Sequence, residues 1–310
     1  MSGTGRRKDE AEQGRTEQGP KEQVPTGQGR TAPQISVVIP AFDAASTLDR
    51  QLAALAAQVD APPFEVVVAD NRSRDETRSV ALASAPDLDL RVVPALRAQG
   101  ANCARNEGIR AARAELLLCI DADDEIAPGA LRAVADAFAA PSAPDLATGV
   151  PTGLDPETFE LPVSMDFLPY GISAFLALRR EVFDAVGGFD EDFVGGQEEV
   201  DFCWRAQLQG FRLGVVRGAR FTYEPRPDAW SAFRQHRRYG ATYIQLFVKH
   251  RAQGISGSSL GAERHDVPRI ARALVRLLRR PEDRSEIARG LGWIVGRWQG
   301  NLRHRVWGPR

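Results

Sequence analysis

The stretch Leu116-Leu117-Leu118-Cys119-Ile120-Asp121-Ala122-Asp123-Asp124-Glu125 joins five apolar residues directly to a cluster of acidic ones. An apolar run of this length, without polar alternation, is typical of a strand that is covered on both faces of its sheet. Carboxylates crowded at the end of one strand repel each other unless a cation neutralises them. Oxygen ligands of this kind suit Mg²⁺ or Mn²⁺, which also bind water and substrate phosphates. The stretch therefore predicts a buried strand that ends at a metal site.

A second interpretation of the same acidic residues stays open at this point. They can form a solvated turn that caps the helix beginning near Pro128-Gly129, and an isolated Asp-x-Asp fits either interpretation. The choice between a metal site and a turn therefore depends on the segments around the acidic cluster.

These surrounding segments alternate between strand and helix patterns. The patterns predict strands at residues 35–39, 64–69, 90–93 and 115–120, and helices at residues 47–55, 77–85 and 102–114. Such alternation indicates an α/β fold of Rossmann-like type, in which helices cover a mostly parallel sheet. Ligands of such sheets bind beyond the carboxyl ends of the strands, which is where the acidic cluster lies.

Composition limits the classes of protein to which the chain can belong. Its 310 residues are 43% hydrophobic and 26% charged, which is enough for one core and an appendage. A formal net charge of -1 gives no overall reason to expect nucleic acid as a partner. Three scattered cysteines lack metal-ligand or redox spacing, as is typical of buried thiols in a reducing compartment. No apolar run reaches the ~20 residues that span a bilayer, and the N-terminus lacks an apolar signal-peptide core. We therefore expect a cytoplasmic protein that is at most peripheral at the inner face of the plasma membrane.

The loops after the first two predicted strands carry polar groups and no phosphate-binding glycine pattern. Pro40-Ala41-Phe42-Asp43 follows the first strand, and Asp70-Asn71-Arg72-Ser73-Arg74-Asp75 follows the second. The lack of a Gly-x-Gly-x-x-Gly or Walker pattern argues against the usual dinucleotide-binding and NTPase folds. Asp70 can hydrogen-bond a base or a ribose at the edge of the sheet. Alternatively, the loop forms an Asx-type turn in which Ser73 or Asp75 caps the next helix.

Several motifs, taken in order, resemble those of the family 2 glycosyltransferases. They occupy residues 40–42, 68–77, 100–108, 121–124, 187–191 and 198–205, so that the resemblance covers about residues 34–223. Several ordered motifs together are far more specific than any one of them alone. The resemblance implies a GT-A fold, a nucleotide-diphosphate sugar as donor, Mn²⁺ or Mg²⁺ as cofactor, and transfer with inversion at the anomeric carbon.

The resemblance also implies roles for individual residues near the donor. Asp70 matches the acidic residue that recognises the nucleotide base, and Pro40 with Phe42 matches the turn that lies against it. Arg105 and Asn106 match the Ala-Arg-Asn element beside the donor. An arginine suits this place because its planar guanidinium can donate two parallel hydrogen bonds to an anionic group.

The metal ligands are carried over in the same way. Asp121 and Asp123 match the metal-binding Asp-x-Asp, and Asp124 can substitute for either of them. For Arg105 an alternative remains open, in which it forms an ion pair with Glu107 or a neighbouring acid on the surface of its helix.

A transferase of this kind needs a second carboxylate that takes the proton of the acceptor hydroxyl. Glu198-Glu199-Val200-Asp201 fits that need, since it follows a glycine-rich loop with the freedom to move and begins a helix. Glu199 matches the family's catalytic acid and is the predicted base, although relatives more often have aspartate there. For Asp201 and Glu198 we expect N-terminal capping, with Asp201 paired to Arg205 one turn later.

Two features lie between and after these motifs. Residues 148–169 are proline-rich and weakly patterned, so we expect a loop-rich connection that leads into a strand at residues 174–178. Many relatives place a histidine, sometimes a metal ligand, after the strand that follows the 198–208 helix. This chain has Phe221-Thr222-Tyr223-Glu224 there, so metal binding is expected to depend on the acidic cluster and the donor phosphates alone.

The C-terminal part is predicted to be helical and basic, with roughly three basic residues for each acidic one from Arg226 onward. Apolar residues recur at helical spacing in three stripes, which are Trp230, Phe233, Tyr243 and Phe247, then Val267, Ile270, Leu274, Leu277 and Leu278, then Ile287, Leu291, Ile294, Trp298 and Leu302. The arginines of the second stripe's helix face away from it and are Arg269, Arg272, Arg276 and Arg279. Such a helix can make peripheral contact with an anionic membrane, or its stripe packs on the catalytic domain while the arginines stay solvated. For His236 we expect a solvated or pairing role.

Three regions follow from this survey. They are a disordered tail at residues 1–33, a GT-A domain at residues 34–225 and a C-terminal helical region at residues 226–310. The predicted function is inverting transfer of a sugar to an unknown acceptor, which can be a glycan, a lipid-linked molecule or a small molecule. The alternative is a catalytically silent sugar-nucleotide or membrane-surface binding module of the same fold. The enzyme is favoured because a binding module needs no base such as Glu199.

Overall fold

The computed structural model describes residues 31–223, 228–255, 268, 272 and 284–306. Within these residues, one sheet of eight strands has the order β3-β2-β1-β4-β7-β6-β8-β5. The strands are β1 (Ile35–Ala41), β2 (Phe64–Asp70), β3 (Leu90–Pro94), β4 (Leu116–Ile120), β5 (Glu125–Ile126), β6 (Leu146–Pro151), β7 (Phe175–Arg179) and β8 (Leu213–Thr222). The helices are α1 (Leu48–Ala56), α2 (Thr77–Ala83), α3 (Ala101–Ala111), α4 (Ala130–Ala139), α5 (Arg180–Val186), α6 (Glu198–Leu208), α7 (Ala229–His250) and α8 (Arg284–His304).

The sheet has a parallel half and a mixed half. Strand β1 pairs in parallel with β2 and β4, and β2 pairs in parallel with β3. Strand β7 then runs antiparallel to both β4 and β6, and β6 is parallel to β8. The predicted α/β fold with a mostly parallel sheet is confirmed, and the carboxyl ends of β1, β2 and β4 meet at one edge.

Helices cover both faces of the sheet and explain why its central strands are mostly apolar. On one face, Ile35, Val37 and Ile39 of β1 pack with apolar residues of α1, α2 and α4. On the other face, Val38 and Leu117 pack with residues of α3, α5 and α6. Strand β4 is therefore enclosed on both sides, as the apolar run before the acidic cluster predicts.

The connection predicted as loop-rich from residue 148 begins later. Strand β6 runs to Pro151, and its small residues Ala147, Thr148 and Gly149 are fully enclosed. Gly149 is needed because an added Cβ would lie 2.9 Å from the ring of Phe175 and 2.8 Å from the carbonyl oxygen of Ala219. This part of the prediction was wrong, since small residues that fit beneath an aromatic ring do not give an apolar strand pattern.

Helices α7 and α8 approach each other at glycines, and the third apolar stripe, which begins at Ile287, is only partly buried. Of that stripe Ile287 and Ile294 are buried, whereas Trp298 is 43% and Leu302 is 63% exposed. Added Cβ atoms at Gly292, Gly296 and Gly300 would fall within 3.0 Å of the α7 backbone. The segment of this stripe is helical, as predicted, and the two backbones approach closely at these three glycines.

Several expectations lie outside the described residues. These are the disordered tail over its residues 1–30, the apolar stripe from Val267 to Leu278, and Arg269, Arg276 and Arg279 of the basic helix, whereas Arg272 is described as helical. Among the residues that the structure does describe, no helix combines the length and apolar character that crossing a bilayer requires.

Candidate active site

A cleft of about 850 Å³ opens at the edge where the parallel strands end. Its wall comprises the start of α3, the acidic turn after β4, the loop before α6 and the first four turns of α7. Four residues with predicted roles in the site line this cleft, and so does Glu198 beside the predicted base. The five are Arg105, Asp121, Asp123, Glu198 and Glu199.

The acidic cluster lies directly beyond β4. One ligand oxygen from each of Asp121, Asp123 and Asp124 lies within 4.8 Å of the others. Asp121 and Asp123 are half-buried and line the cleft, whereas Asp124 is buried. Buried Gln51 of α1 fixes the turn, since it donates to the carbonyl oxygen of Asp121 and accepts from the amide of Ile126. The three carboxylates could hold a divalent cation, as the sequence predicts.

Arg105 joins the acidic cluster to α6. Its side chain is 3% exposed, and its Nη2 lies 2.7 Å from Oδ1 of Asp121 while its Nη1 lies 3.0 Å from Oε1 of Glu198. Burial lowers the pKa of Arg105, but the charges of Asp121 and Glu198 outweigh it and raise the pKa above its usual value. The alternative of an ion pair on the helix surface was wrong, since Arg105 is buried and pairs with Asp121 and Glu198, while Glu107 pairs with Arg97 and Arg110.

Glu199 has an environment that suits a base. It lines the cleft in the first turn of α6, half-buried. Burial and then the negative charge of Glu198 raise the pKa of Glu199 to about 8. The expectation that Glu198 is a helix cap was wrong, because Glu198 is 9% exposed and bonds the guanidinium of Arg105.

Asp201 lies one turn further along α6 and is fully buried. Its Oδ2 accepts from Nε of Arg205 at 2.8 Å, so the predicted pairing with Arg205 is confirmed. Its Oδ1 lies 2.8 Å from Nε2 of His250 and 2.7 Å from Nζ of Lys249, both on α7. Burial raises the pKa of Asp201, and the bonds to His250, Arg205 and Lys249 outweigh it and lower that pKa. The Asp201 carboxylate therefore ties α6 to α7.

The other residues predicted to contact the donor are not on the cleft wall just described. Asp70, half-buried at the end of β2, accepts from the amide of Ser73, so the Asx-type turn forms. Asn106 is buried and bonds the backbone of Phe189 in both directions. Pro40 is half-buried and Phe42 is 51% exposed, both in or just after β1. Their roles toward a donor stay predictions.

Helix α7 also lines this cleft, a contribution that the sequence did not predict. The helix begins at Ala229 because the side chain of Asp228 accepts from the amide of Ser231. It presents a mixed polar and aromatic face to the cleft, with Tyr223 and Trp293 beside it, and the residues concerned are Arg234, Gln235, His236, Arg238, Tyr239 and Tyr243. The run Gln235-His236-Arg237-Arg238-Tyr239 was the available signal, because four successive polar residues go right round a helix and so interrupt the apolar stripe between Phe233 and Tyr243.

His236 therefore lies on the cleft, and its Nδ1 is 3.1 Å from the carbonyl oxygen of Ala232. Burial lowers its pKa, and the hydrogen bond to Ala232 opposes that effect. The chain thus lacks a histidine in Phe221-Thr222-Tyr223, where β8 ends, but has one on the neighbouring wall.

Two family models match the chain. The model described as glycosyl transferase family 2 matches residues 36–190, and the model described as glycosyl transferase family group 2 matches residues 166–293. The two matches together cover the sheet, the cleft-lining part of α7 and the beginning of α8.

The chain is similar to curated proteins that transfer sugars. It is 31% identical over 228 residues to a validoxylamine A glucosyltransferase of Streptomyces hygroscopicus subsp. limoneus, which covers 60% of this chain and 50% of that protein. It is 33% identical over 102 residues to the GalNAc(5)-diNAcBac-PP-undecaprenol beta-1,3-glucosyltransferase of Campylobacter jejuni, covering 32% of each. The chain thus spans about half the length of the first of these two relatives.

Solved structures share the fold at lower identity. The mannosyltransferase PcManGT of Pyrobaculum calidifontis, in complex with GDP-Man and Mn²⁺, has a TM-score of 0.58 at 20% identity, covering 92% of this chain and 91% of that one. The S. aureus TarS fragment 1-349 in complex with UDP-GlcNAc has a TM-score of 0.51 at 18% identity, covering 88% and 92%. These likenesses confirm the GT-A fold.

Proposed function

Since this chain belongs to glycosyl transferase family 2, we propose that it transfers a sugar from a nucleotide-diphosphate donor to an acceptor hydroxyl. The observation that carries this proposal is the convergence of the acidic cluster, Arg105 and Glu199 on one cleft. The cluster and Glu199 come from separate segments, the turn after β4 and the first turn of α6. Their meeting is explained by chemistry that uses both.

The acidic cluster would hold a divalent cation, Mn²⁺ or Mg²⁺. Its donor set consists of carboxylate oxygens from Asp121, Asp123 and Asp124, which fits a hard cation, and their mutual proximity is otherwise repulsive. A cation bound there would neutralise the charge that develops on the leaving diphosphate. Arg105 holds one oxygen of Asp121 in a fixed direction and leaves the carboxylate's other oxygen available.

Glu199 would take the proton of the acceptor hydroxyl as that oxygen attacks the anomeric carbon. A base on the face opposite the leaving group gives inversion in one step, without a covalent intermediate. A general base works best when its pKa lies near the operating pH. With a pKa of about 8, Glu199 would accept a proton near neutral pH more readily than an ordinary glutamate does. Because burial is the largest cause of this raised pKa, the pKa depends on where Glu199 lies in the fold.

Helix α7 would contribute positive charge to the donor. The side chains of Arg234 and Arg238 are exposed into the same cleft that the acidic cluster lines. Guanidinium groups there suit a diphosphate, which brings two negative groups next to the acidic cluster. Two solved structures of this fold contain GDP-Man or UDP-GlcNAc, in keeping with a donor of this class.

The acceptor, the division into regions at residues 33 and 225, and membrane contact through the basic C-terminal helices stay predictions. The aromatic wall of Tyr170, Tyr243 and Trp293 is compatible with a saccharide acceptor, because sugar rings pack well on aromatic faces. A glycan, a lipid-linked sugar and a small sugar-like molecule all present such rings.

The proposal is tested by thermal-shift screening of UDP-, GDP- and dTDP-sugars with and without Mn²⁺. A bound donor should raise the melting temperature by mass action, corresponding to about 2.7 kcal/mol at a concentration 100 times the Kd. Asp123→Ala should lose the Mn²⁺-dependent shift, whereas Glu199→Gln should keep it and lose transfer. Glu199→Gln protein that hydrolyses the donor at the wild-type rate would contradict the assignment of the base.

A further inference from the structure

The loop before α6 is packed against α7 at two successive glycines. A Cβ added to Gly196 would lie 2.8 Å from Cε1 of Tyr239 and closer still to Cδ1 of that ring. A Cβ added to Gly195 would lie 2.9 Å from Cδ and 3.0 Å from Cβ of Arg238. The ring of Tyr239 and the stem of Arg238 thus occupy the space where side chains of this loop would otherwise stand.

The backbone of this loop has three successive positive φ angles directly before Glu198, the last of them at a residue that is not glycine. Gly195 has φ +100°, Gly196 has φ +133° and Gln197 has φ +70°. Gln197 is not a glycine, and such a residue with positive φ costs on the order of 1–3 kcal/mol, so it persists only where its surroundings fix it. The packing of Tyr239 and Arg238 on the two preceding residues supplies that fixation, and Glu199 follows two residues later.

Other contacts from α7 hold the same segment on either side. Nε2 of Gln245 donates to the carbonyl oxygen of Asp192 at 3.1 Å, and Nζ of Lys249 lies 2.6 Å from Oδ2 of Asp190. His250 bonds Asp201 on the first turns of α6. The glycine-rich loop, predicted to be free to move, is therefore fastened to α7 before, within and after its glycines.

We propose that Tyr239 is a positioning residue, which with the stem of Arg238 fixes the 195–197 loop and thereby the direction of the Glu199 carboxylate. The inference rests on the proposed function, since it takes Glu199 as the base. The glycines at 195 and 196 serve this packing, because any side chain there would push the loop away from α7. In this arrangement α7 acts on the reaction through the position of Glu199 as well as through contacts with the donor.

The main test separates donor binding from the chemical step in Tyr239→Ala, Tyr239→Phe and wild-type protein. Donor affinity is measured by calorimetry with Mn²⁺ and the donor sugar nucleotide that gives the thermal shift, and the chemical step by single-turnover release of nucleoside diphosphate. We expect Tyr239→Ala to slow the chemical step by about 10- to 100-fold, because misplacement by ~1 Å costs that much. Donor Kd should change less than about threefold, and Tyr239→Phe, which keeps the ring, should restore the wild-type rate.

Two outcomes of this comparison would overturn the inference. One is a wild-type rate in Tyr239→Ala. The other is a Tyr239→Phe protein as slow as Tyr239→Ala, since that result would assign the effect to the hydroxyl group rather than to packing.

Hydrogen exchange of the protein without donor provides a second readout. The amides of residues 195–199 should exchange about tenfold faster in Tyr239→Ala than in wild type, because their local opening becomes easier. Trp230→Ala is the matched control, since it also removes an aromatic side chain from α7. Trp230 is exposed and stacks on Phe233 rather than on the loop. Equal exchange at residues 195–199 in Tyr239→Ala and wild type would overturn the inference. If Tyr239→Ala does not fold, Tyr239→Leu keeps apolar volume without a flat ring and takes its place.

A double-mutant cycle tests the contact itself. Gly196→Ala should slow the chemical step by about 100-fold in the wild-type background. When Tyr239 is also alanine, the same substitution should slow the step by only about tenfold, because one clash is then absent. Strict additivity would overturn the inference. The result for Glu199→Gln stays separate, since a wild-type rate in that variant defeats the proposed function whatever Tyr239 does. An inactive Glu199→Gln together with a fully active Tyr239→Ala defeats the positioning role alone.

Discussion

Arg105 allows carboxylates from distant parts of the chain to lie in one cleft. Its guanidinium bonds Asp121 on one side and Glu198 on the other, and it is nearly inaccessible to solvent. Two ionised carboxylates that close to each other and partly buried are costly unless a cation lies between them. Burial and then the charge of Glu198 raise the pKa of Glu199, and the charge of Arg105 opposes that rise. One buried arginine thus organises the electrostatics of both halves of the site.

The raised pKa of Glu199 leads to a pH prediction. A base must be unprotonated, so kcat/KM for donor hydrolysis should rise about tenfold per pH unit at acidic pH and level off above the pKa of about 8. In kcat the same limb should lie at lower pH, because neutralisation of the Asp121 charge in the donor complex removes one cause of the shift. Rates measured from about pH 5.5 to 9.5 with Mn²⁺ test this. A kcat/KM that does not change with pH below the pKa of about 8 would contradict this prediction.

At the scale of elements, the pair α7 and α8 depends on glycines that allow the two backbones to approach. Gly296 lies against the backbone of Arg237 and Ala241. Gly290, on the same helix, is exposed and has no atom within 4 Å of where its Cβ would be. Gly296→Ala should therefore lower the free energy of unfolding by about 1–3 kcal/mol through overpacking. Gly290→Ala should raise it by about 0.5–1 kcal/mol, because alanine favours the helix.

Urea denaturation of both variants measures these two changes under identical conditions. The pair is informative because the substitution is the same and only the surroundings differ. Stabilisation by Gly296→Ala, equal to that by Gly290→Ala, would show that the two helices are not in contact at this point.

The elements differ in how well the sequence predicts them. Strands β1, β2 and β4 could be predicted because each is enclosed on both faces, so its apolar run is continuous. The α7–α8 contact could not, because periodicity methods look for large apolar residues, whereas Gly292, Gly296 and Gly300 make this contact. Large side chains such as Trp298 follow the helical spacing equally well while lying on the exposed face.

The same distinction applies to the site. The acidic cluster is local in sequence, since one strand delivers all of its carboxylates, and Glu199 lies in a recognisable motif at the start of α6. The bond between Arg105 and Glu198 joins residues 93 positions apart, and no local pattern reports it. The contribution of α7 was likewise hidden, because Arg238 and Tyr239 belong to the site only through the way the helix lies against the 195–197 loop.

At the scale of the whole molecule, the sheet alone does not make a complete site. The family model that matches residues 36–190 ends before α6 and α7. Val200 and Trp204 of α6, together with Phe193, form a cluster with Leu246 and Phe247 of α7. Trp204 is fully buried there, and its indole donates to the carbonyl oxygen of Leu168. The C-terminal helices therefore complete the core beneath Glu199 in addition to one wall of the cleft.

A chain that ends at Tyr223 tests this view of the molecule. It keeps all eight described strands but exposes Val200, Phe193 and Trp204, which together leave an apolar patch where α7 had packed. Exposed contiguous apolar surface of several hundred Å² promotes association, so we expect the shortened protein to elute as aggregates and to bind a hydrophobic dye. It should also lose the Mn²⁺-dependent thermal shift with donor. Deletion of residues 1–30 is the control, since their composition predicts no core and the shift should persist. A monodisperse shortened chain with the wild-type donor shift would mean that α7 is an addition to a complete enzyme, contrary to the packing of its side chains against the start of α6.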